Sequence, residues 1–438
     1  MSGNEAKKTG FRPYKRFLLS LGGLTSIAES FFVLFGYVYL KTVLPPYGAA
    51  LVAIGAAAAA LALVPLMHST VNRVRSLALG RYHGVLILSA LIAPAAIAFL
   101  YNVDSAGGTA YRILSAAAAL FLLFLSVQTF SYAVYSITVR VHDTAGQTRL
   151  GYLMNALGVA VVLGVSFLYF TFGGEETLGR IAFVLAGLLV LAGLGVYFST
   201  YTLIPKLIRT EPAVFGVRDD YRRFFVRPFP VAASYLGRYF FTAALLAAAV
   251  YSAAYYRDVL QLSGQTFCFT AAVAALGGVA ARCIRTSSYG AVRTTAAAGS
   301  VMLFAAAAVA LIVPLFVAAS VYVYVGLGAA FVAGAGYGFI SDAQKGYMKA
   351  ALALTGASRG THKCMTGMLT CGAAGTAVAV AGITDAIYAA SENFRLAAGL
   401  FLTTLTVFLV LGVLFSGKGL AAARLYGRPE TAGEAVYA

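Results

Sequence analysis

The sequence has little of what a soluble enzyme or a metalloprotein needs. Only 11% of its residues are charged, it contains no tryptophan, and its four cysteines form no CxxC pair. A soluble core cannot hide a chain that is 61% hydrophobic. A bundle of membrane helices can, because lipid covers apolar side chains and each helix satisfies its own backbone groups. The cysteines therefore indicate packing residues rather than a metal or redox site.

Catalytic motifs are also missing from the sequence. It contains no P-loop, no zinc-ligand spacing and no nucleophile elbow. We therefore predict that the chain is not an enzyme and needs neither a cofactor nor a bound metal. The four histidines are scattered near predicted helix ends, and we interpret them as solvated end residues: His68, His83, His142 and His362.

Long apolar runs occupy most of the chain. A helix needs about 20 apolar residues to cross the hydrocarbon of a bilayer. Runs between charged or turn-rich breaks predict an all-α membrane protein with twelve spans. These spans are 17–40, 48–68, 84–101, 113–139, 152–172, 180–204, 229–252, 264–282, 295–313, 319–340, 365–387 and 396–416. The shortest break, at 314–318, contains Pro314.

Lysine and arginine are distributed unevenly between the two sides of this predicted bundle. One side, here called the basic side, carries 26 of them. The other, here called the sparse side, carries Lys41, Arg112, Arg180, Arg257 and Arg395. The positive-inside rule places the basic side, with both termini, in the cytoplasm, as for a multi-pass protein of the cell (inner) membrane. The net charge of +17 then reflects topology and contact with membrane lipid, and we predict no nucleic-acid partner.

The longest internal hydrophilic segment divides the chain into two halves of six spans each. We predict an N-terminal bundle at 1–204, a cytoplasmic loop at 205–228, and a C-terminal bundle with its tail at 229–438. Two six-helix halves around a central site are the plan of the major facilitators. This organisation predicts a secondary transporter that works by alternating access, and we expect it to be a monomer.

Segments on the basic side resemble those of one major facilitator family. "VNRVRSLALGRYHG" after span two is similar to the D-R-T-R-S-x-x-G-[RK]-x-[RK]-P loop of the glycoside–pentoside–hexuronide:cation symporters, the melibiose permease-like family. Here Asn72 stands where the family has Asp, and Gly84 replaces the Pro. Further resemblances are "SITVRVHDTAGQTRLGYL", "YRRFFVRPFPVAASYLGRYFF" and "ISDAQKGYMKAALALTGASRG". The resemblance implies the major facilitator fold and a sugar, glycoside or similar small polar solute as substrate.

The same segments imply a cytoplasmic gate. In such a gate, arginines meet carboxylates and helix C-termini in one transport state and separate from them in the other. The residues implied are Asn72, Arg73, Arg75, Arg81, Asp143, Arg149, Asp342 and Arg359. The alternative is that these residues are only positive-inside charges.

The family's cation site is not carried over by the resemblance. The family uses aspartates on spans two and four and a lysine on span eleven. Alignment through the loops places these positions at Ala60, Val64, Phe130, and Gly372 or Ala373. A sodium site needs several oxygen ligands, usually with a carboxylate. We therefore expect no sodium site of the family's type.

Two ionisable residues lie well inside predicted spans. Glu29 is about twelve residues into span one, and Arg238 is about ten residues into span seven. An intramembrane charge is by default a functional hypothesis because burying it is costly. One interpretation is that both residues face the cavity and bind or gate the substrate, with Glu29 carrying a proton. The other is that they pair with each other or with a neighbouring hydroxyl as a structural tie.

Polar side chains recur at helical spacing on several spans. They complete the predicted substrate-binding or coupling set, which is Thr25, Gln128, Tyr132, Tyr135, Asn155, Tyr235 and Thr242 together with Glu29 and Arg238. Aromatic, amide and hydroxyl groups suit a sugar-like or amphipathic small molecule. The alternative is that they are hydrogen-bonding contacts between membrane helices.

Two other functions remain open from the sequence. The lack of sugar-stacking tryptophan suits a lysolipid or lipid transporter. The loss of the coupling residues suits a non-transporting receptor or scaffold that kept the fold. We expect an open cavity with Glu29 and Arg238 for the first function, an apolar lateral gap between the halves for the second, and a filled centre for the third.

Overall fold

A computed structural model describes most of the chain. It covers residues 13–24, 37–73, 80–101, 108–141, 175–203, 228–258, 264–283, 289–317, 319–355 and 359–426, with short pieces of 150–171. Within these ranges the regular structure is entirely helical.

Twelve α-helices are numbered here in chain order. They are Pro13–Ser20 (α1), Tyr37–Val43 (α2), Pro46–Arg73 (α3), Gly80–Tyr101 (α4), Thr109–Val141 (α5), Glu175–Thr200 (α6), Pro228–Asp258 (α7), Gly264–Cys283 (α8), Tyr289–Ile312 (α9), Ala319–Thr355 (α10), Arg359–Ser391 (α11) and Phe394–Tyr426 (α12). Short 3₁₀ helices occur at Leu21–Leu24, Tyr201–Leu203 and Val313–Leu315.

These helices match ten of the twelve predicted spans. Among the described residues, nine helices are long and apolar enough to cross a membrane, and α8 contains a shorter apolar stretch. Helices α3, α4, α5 and α6 correspond to spans two, three, four and six, and α7 to α12 correspond to spans seven to twelve. Span one is described only at its two ends, and span five only in short pieces. The chain is therefore a multi-pass membrane protein.

Several helices extend beyond the predicted spans. The 37 residues of α10 have a length of about 55 Å at the usual helical rise. The hydrocarbon of a bilayer is only about 30 Å thick, so α10 continues well past the membrane on the basic side.

The predicted break between spans nine and ten is confirmed. Helix α9 ends at Ile312, and Pro314 lies in the 3₁₀ helix that follows it. Proline suits this position because it has no backbone N–H to donate to a continuing helix.

A two-residue link joins α11 to α12. In this link Glu392 has φ 52°, and the Asn393 side chain accepts a hydrogen bond from the Leu396 backbone at 3.2 Å. Such a cap satisfies one of the free N–H groups at the start of α12.

The described helices form two packed groups joined by one extensive contact. Helices α4 and α5 pack together, with α3 against α5 and α6 against α4. In the C-terminal part, α10 packs on α8 and α9, and α7 packs on α11 and α12. The contact that joins the groups is between α3 and α11, and we call it the seam.

Small residues allow the two helices of the seam to approach closely. A Cβ atom added at Gly375 of α11 would lie 2.5 Å from the Ala57 Cβ and 3.1 Å from the Ala53 carbonyl oxygen on α3. Nearer the basic side, the Cys364 thiol lies 3.7 Å from the Val64 carbonyl oxygen. Cys364 and Cys371 are buried and unbridged, which agrees with their interpretation as packing residues. Lipid tails are as apolar as the helices, so burying apolar area does not drive membrane helices together. Small residues allow the close packing that holds them together instead.

The outer surface of the bundle is apolar, as a membrane location requires. Leu51 on α3, Leu114 on α5 and Val301 on α9 each expose about two thirds of their side chain, at 65%, 70% and 67%. A soluble protein rarely exposes so much contiguous apolar surface. Lipid therefore covers these faces.

Candidate functional site

The site begins with the polar face of α7. Tyr235, Arg238 and Thr242 are three and four residues apart in an unbroken helix, so they share one face as predicted. The Tyr235 hydroxyl lies 2.7 Å from Nδ1 of His362 on α11. The Thr242 hydroxyl accepts a hydrogen bond of 3.4 Å from Gln344 on α10. Their role in binding stays a prediction.

A second polar contact joins α7 to α11 one turn further into the membrane. The Tyr239 hydroxyl and the Thr376 hydroxyl form a short hydrogen bond. Neither residue belongs to the predicted site. Tyr239 lies four residues after Tyr235, a spacing that indicates the same helix face. The two tyrosines therefore tie α7 to α11 at successive turns.

Arg238 has an unusual environment for an intramembrane charge. Its Nε atom is buried and has no hydrogen-bond partner among the residues that the structure describes. The side chain as a whole is partly accessible, and no described residue forms an ion pair or a hydrogen bond with it. Placing an arginine near the bilayer centre costs at least about 2.5–3.5 kcal/mol. This cost is not offset by any of the described side chains.

The groups around Arg238 are neutral or basic. Tyr235 is the described group that interacts with it electrostatically. His362 lies within electrostatic range of both Arg238 and Lys363. The described part of this region therefore contains hydrogen-bond donors and positive charge, and no carboxylate interacts with Arg238 there.

The predicted polar residues of α5 do not all point to one place. Gln128 is buried against α11, where a Cβ atom added at Gly367 would lie 2.5 Å from its amide oxygen. Tyr132 is also buried, with its ring edge-on to Tyr82 of α4 at 6.4 Å between centroids. Tyr135 is half-buried on the same helix. Gln128 thus reaches the other half of the bundle, while Tyr132 packs within its own half.

Three predicted site residues lie outside the described residues. They are Thr25 and Glu29 of span one and Asn155 of span five. The pairing of Glu29 with Arg238 and the role of Glu29 as a proton carrier stay predictions.

Most of the predicted cytoplasmic gate is likewise untested. Arg75, Asp143 and Arg149 lie outside the described residues, as do the side chains of Asn72, Arg73, Arg81 and Arg359. Asp342 is described, and its carboxylate lies 3.5 Å from the Lys345 ammonium one turn along α10. A pair so exposed contributes little to stability.

A charged cluster joins the two halves on the sparse side. Lys41 at the end of α2 lies 2.8 Å from the carboxylate of Asp385 on α11. The buried Tyr37 donates a hydrogen bond of 2.6 Å to the same carboxylate oxygen. We call these three residues the sparse-side tie. The pairing of Lys41 with Asp385 was not predicted, although Lys41 is one of only five basic residues on that side.

The interpretation of the histidines is wrong for His83. Its side chain is only 2% exposed, and its Nε2 atom lies 2.7 Å from the Thr200 hydroxyl of α6. His362 is partly buried against Tyr235. Both lie close to a helix end, as expected. They nevertheless face a neighbouring helix rather than solvent. What they contact depends on which side of the helix they occupy, and the local sequence does not show which side faces a neighbour.

An apolar groove of about 330 Å³ lies between α9 and α12, with Val301, Phe304, Val410 and Leu414 in its wall. Both helices belong to the C-terminal part, so this groove is not the lateral gap between halves expected for a lipid transporter.

Among the residues described, no group of three His, Cys, Asp or Glu side chains could hold a metal ion.

Comparison with known proteins decides the fold. No family model matches the sequence, and no curated protein matches it. A bacterial homologue of the iron transporter ferroportin in its inward-facing state matches with a TM-score of 0.63 at 15% identity, covering 92% of this chain and 98% of that one. Its outward-facing state matches with a TM-score of 0.59 at 15% identity, covering 93% and 100%. The nucleoside transporter NupG matches with a TM-score of 0.60 at 12% identity, covering 94% and 98%.

The predicted fold class is confirmed. This chain is an all-α membrane protein with the major facilitator fold. The matched proteins are described as transporters rather than enzymes, in agreement with the prediction that this chain is not an enzyme.

Proposed function

We propose that this protein is a secondary transporter that works by alternating access. The observation that carries the proposal is that more than nine tenths of the chain aligns with one transporter solved in both an inward-facing and an outward-facing state. A fold with two known states can alternate between them if its halves meet at contacts that break and re-form. The sparse-side tie is such a contact, because it joins α2 to α11 through an ion pair and a hydrogen bond.

The proposed substrate is a sugar, a glycoside or a similar small polar solute. The loop motifs that resemble the glycoside–pentoside–hexuronide:cation symporters support this class and membership of that family. The polar groups of α7, α10 and α11 support it as well, because hydroxyl, amide and guanidinium groups inside a membrane bundle suit a polar ligand.

The proposal includes the absence of the family's sodium site. Ala60, Val64 and Ala373 are buried and apolar at the aligned positions, and so is Phe130 on α5. None of these side chains offers an oxygen to a cation. We therefore propose uniport, exchange or coupling through another group, with Glu29 as the candidate proton carrier.

The proposed location is the cell membrane, with both termini on its cytoplasmic side.

A proteoliposome assay tests this function. The purified full-length protein is assayed with labelled neutral sugars and with labelled lysolipids, each with a sodium gradient, a pH gradient or no gradient. We expect saturable sugar uptake that does not respond to sodium. Uptake of lysolipid alone would favour a lipid transporter, and no uptake of either class would favour a receptor or scaffold. Sodium-driven accumulation would contradict the absence of the sodium site.

Glu29→Gln tests the proposed proton coupling in the same assay. If Glu29 carries the proton, accumulation driven by a pH gradient should fall at least about 100-fold, the lower end of what a positioned acid–base group contributes to a proton transfer. Exchange of substrate without a gradient should continue. Glu392→Gln is the matched control, because Glu392 is exposed in the link between α11 and α12. Unchanged pH-driven accumulation in Glu29→Gln would exclude Glu29 as the carrier.

A further inference from the structure

We propose that Arg238 binds an anionic group, a carboxylate or a phosphate, on the transported molecule. This inference rests on the proposed transport function and narrows its substrate class. It starts from one observation, that a guanidinium inside the helix bundle has a buried and unpartnered Nε atom and no ion-pair partner among the described residues.

A basic group at the sparse-side end of the bundle shows the contrast. Lys41 is paired with Asp385 at 2.8 Å, and Tyr37 reinforces the same carboxylate. Arg238 has neither kind of support, although α7 is packed on α11 and α12 along much of its length. An arginine that served only to tie helices together would be expected to reach an acceptor on one of them.

The terminal nitrogens of Arg238 are open to a ligand. Only the Nε atom is fully buried without a partner, while the side chain retains accessible surface. The terminal nitrogens form no hydrogen bond with the described residues and are not among the buried atoms that lack a partner, so they retain some accessible surface. The hydroxyl of Tyr235, about one turn earlier on α7, is already engaged with His362.

The chemistry of the site selects an anion. A guanidinium has donors and no acceptor, and its planar fork matches the two oxygens of a carboxylate or phosphate. Lys363 lies within electrostatic range of His362 and adds a positive charge to this region. A neutral hydroxyl could accept one hydrogen bond from Arg238, but only an anion would also balance its charge. The anion could belong to a free solute or to the headgroup of a lysolipid.

Matched pairs of probes separate these chemistries. The purified full-length protein in detergent is titrated with glucuronate and glucose 6-phosphate against glucose, and with lysophosphatidate against the monoacylglycerol of the same acyl chain. The readout is the shift in thermal unfolding temperature. We expect at least one anionic probe to bind at least about tenfold more tightly than its net-neutral partner, the discrimination that one charged hydrogen bond provides. The pair that responds shows whether the anion is a free solute or a lipid.

Variants test whether Arg238 is the group responsible. Arg238→Gln should remove the preference for the anion, and Arg238→Lys should retain part of it. Arg395→Gln is the control, since Arg395 is exposed on α12. Without a probe, Arg238→Gln should unfold at an unchanged or higher temperature because an unpaired charge is removed. Equal binding of charged and neutral probes by the wild type would overturn the proposal. So would a preference for the anion that survives in Arg238→Gln. A clearly lower unfolding temperature of Arg238→Gln without a probe would also overturn it.

This experiment separates the inference from the proposed function. Anion binding that depends on Arg238 without any uptake in proteoliposomes would support the site and contradict transport. Uptake of neutral glucose that glucuronate and glucose 6-phosphate do not inhibit would support transport and overturn the anionic substrate class.

Discussion

Asp385→Asn is expected to open the sparse side of the protein about 30-fold more often than in the wild type. The substitution removes the charge that holds Lys41 at 2.8 Å and weakens the hydrogen bond from Tyr37. Hydrogen bonds to charged groups contribute about 1.5–3 kcal/mol. A loss of about 2 kcal/mol from the closed state changes its equilibrium with an open state about 30-fold.

Labelling of a buried cysteine measures this opening. Ala381 lies one turn before Asp385 on α11 and has no exposed surface. In a protein whose four natural cysteines are replaced by serine, Ala381→Cys should react slowly with an impermeant maleimide added from the sparse side. Adding Asp385→Asn should speed the reaction about 30-fold, if opening limits labelling.

A charge exchange provides the control for the sparse-side tie. The double variant Lys41→Asp with Asp385→Lys keeps both charges and exchanges their positions. It should label more slowly than either single charge reversal, because only the double variant can form an ion pair. Equal labelling rates in the wild type and Asp385→Asn would show that the tie does not hold the two halves together.

Gly334→Leu is expected to have the largest effect on stability. The position of its Cβ atom is occupied by the Ala274 carbonyl group of α8, so the two backbones are in direct contact. A side chain at this position would push α8 away from α10 and break the packing along that contact. Overpacking of a tight contact costs about 1–3 kcal/mol or more, and here the obstacle is backbone, which cannot move aside by changing rotamer.

The matched control lies on the same helix. Gly328 is also in α10, is exposed, and has no atom within 4 Å of its added Cβ. Both substitutions replace a helical glycine by leucine, so the gain of about 1 kcal/mol in helix propensity is common to them. Thermal unfolding in detergent should show Gly334→Leu well below the wild type and Gly328→Leu at or above it. Similar unfolding temperatures for the two variants would contradict the close α8–α10 contact.

The helices were predictable because hydrophobic length is a local property of the sequence. Ten predicted spans correspond to helices. The break at Pro314 was predictable because proline, like a run of charged or turn residues, marks the end of an apolar segment. Helix ends were less predictable. Polar residues of α10 continue the helix for fifteen residues beyond 340, since a helix need not end where the membrane does.

The contacts of the site were harder to predict because they join distant positions. The sequence showed that Tyr235, Arg238 and Thr242 share a face, which depends only on helical spacing. It did not show that Tyr235 meets His362, 127 residues away, or that Tyr37 meets Asp385, 348 residues away. Such pairs depend on how α7, α2 and α11 are rotated against each other. Close packing of small residues such as Gly375 and Ala57 fixes the rotation of α11 only against α3, at the seam.

The central claim is that the halves must separate on the sparse side for transport to occur. Cross-linking across the sparse-side tie tests it most directly. Lys41→Cys and Asp385→Cys are combined in the cysteine-free protein, reconstituted in proteoliposomes, and joined by a short bifunctional methanethiosulfonate. The solute is one that the wild type takes up, and the single Lys41→Cys variant treated in the same way is the control. We predict that cross-linking stops uptake and that reduction restores it. Equal uptake by the cross-linked and reduced protein would contradict alternating access at this contact.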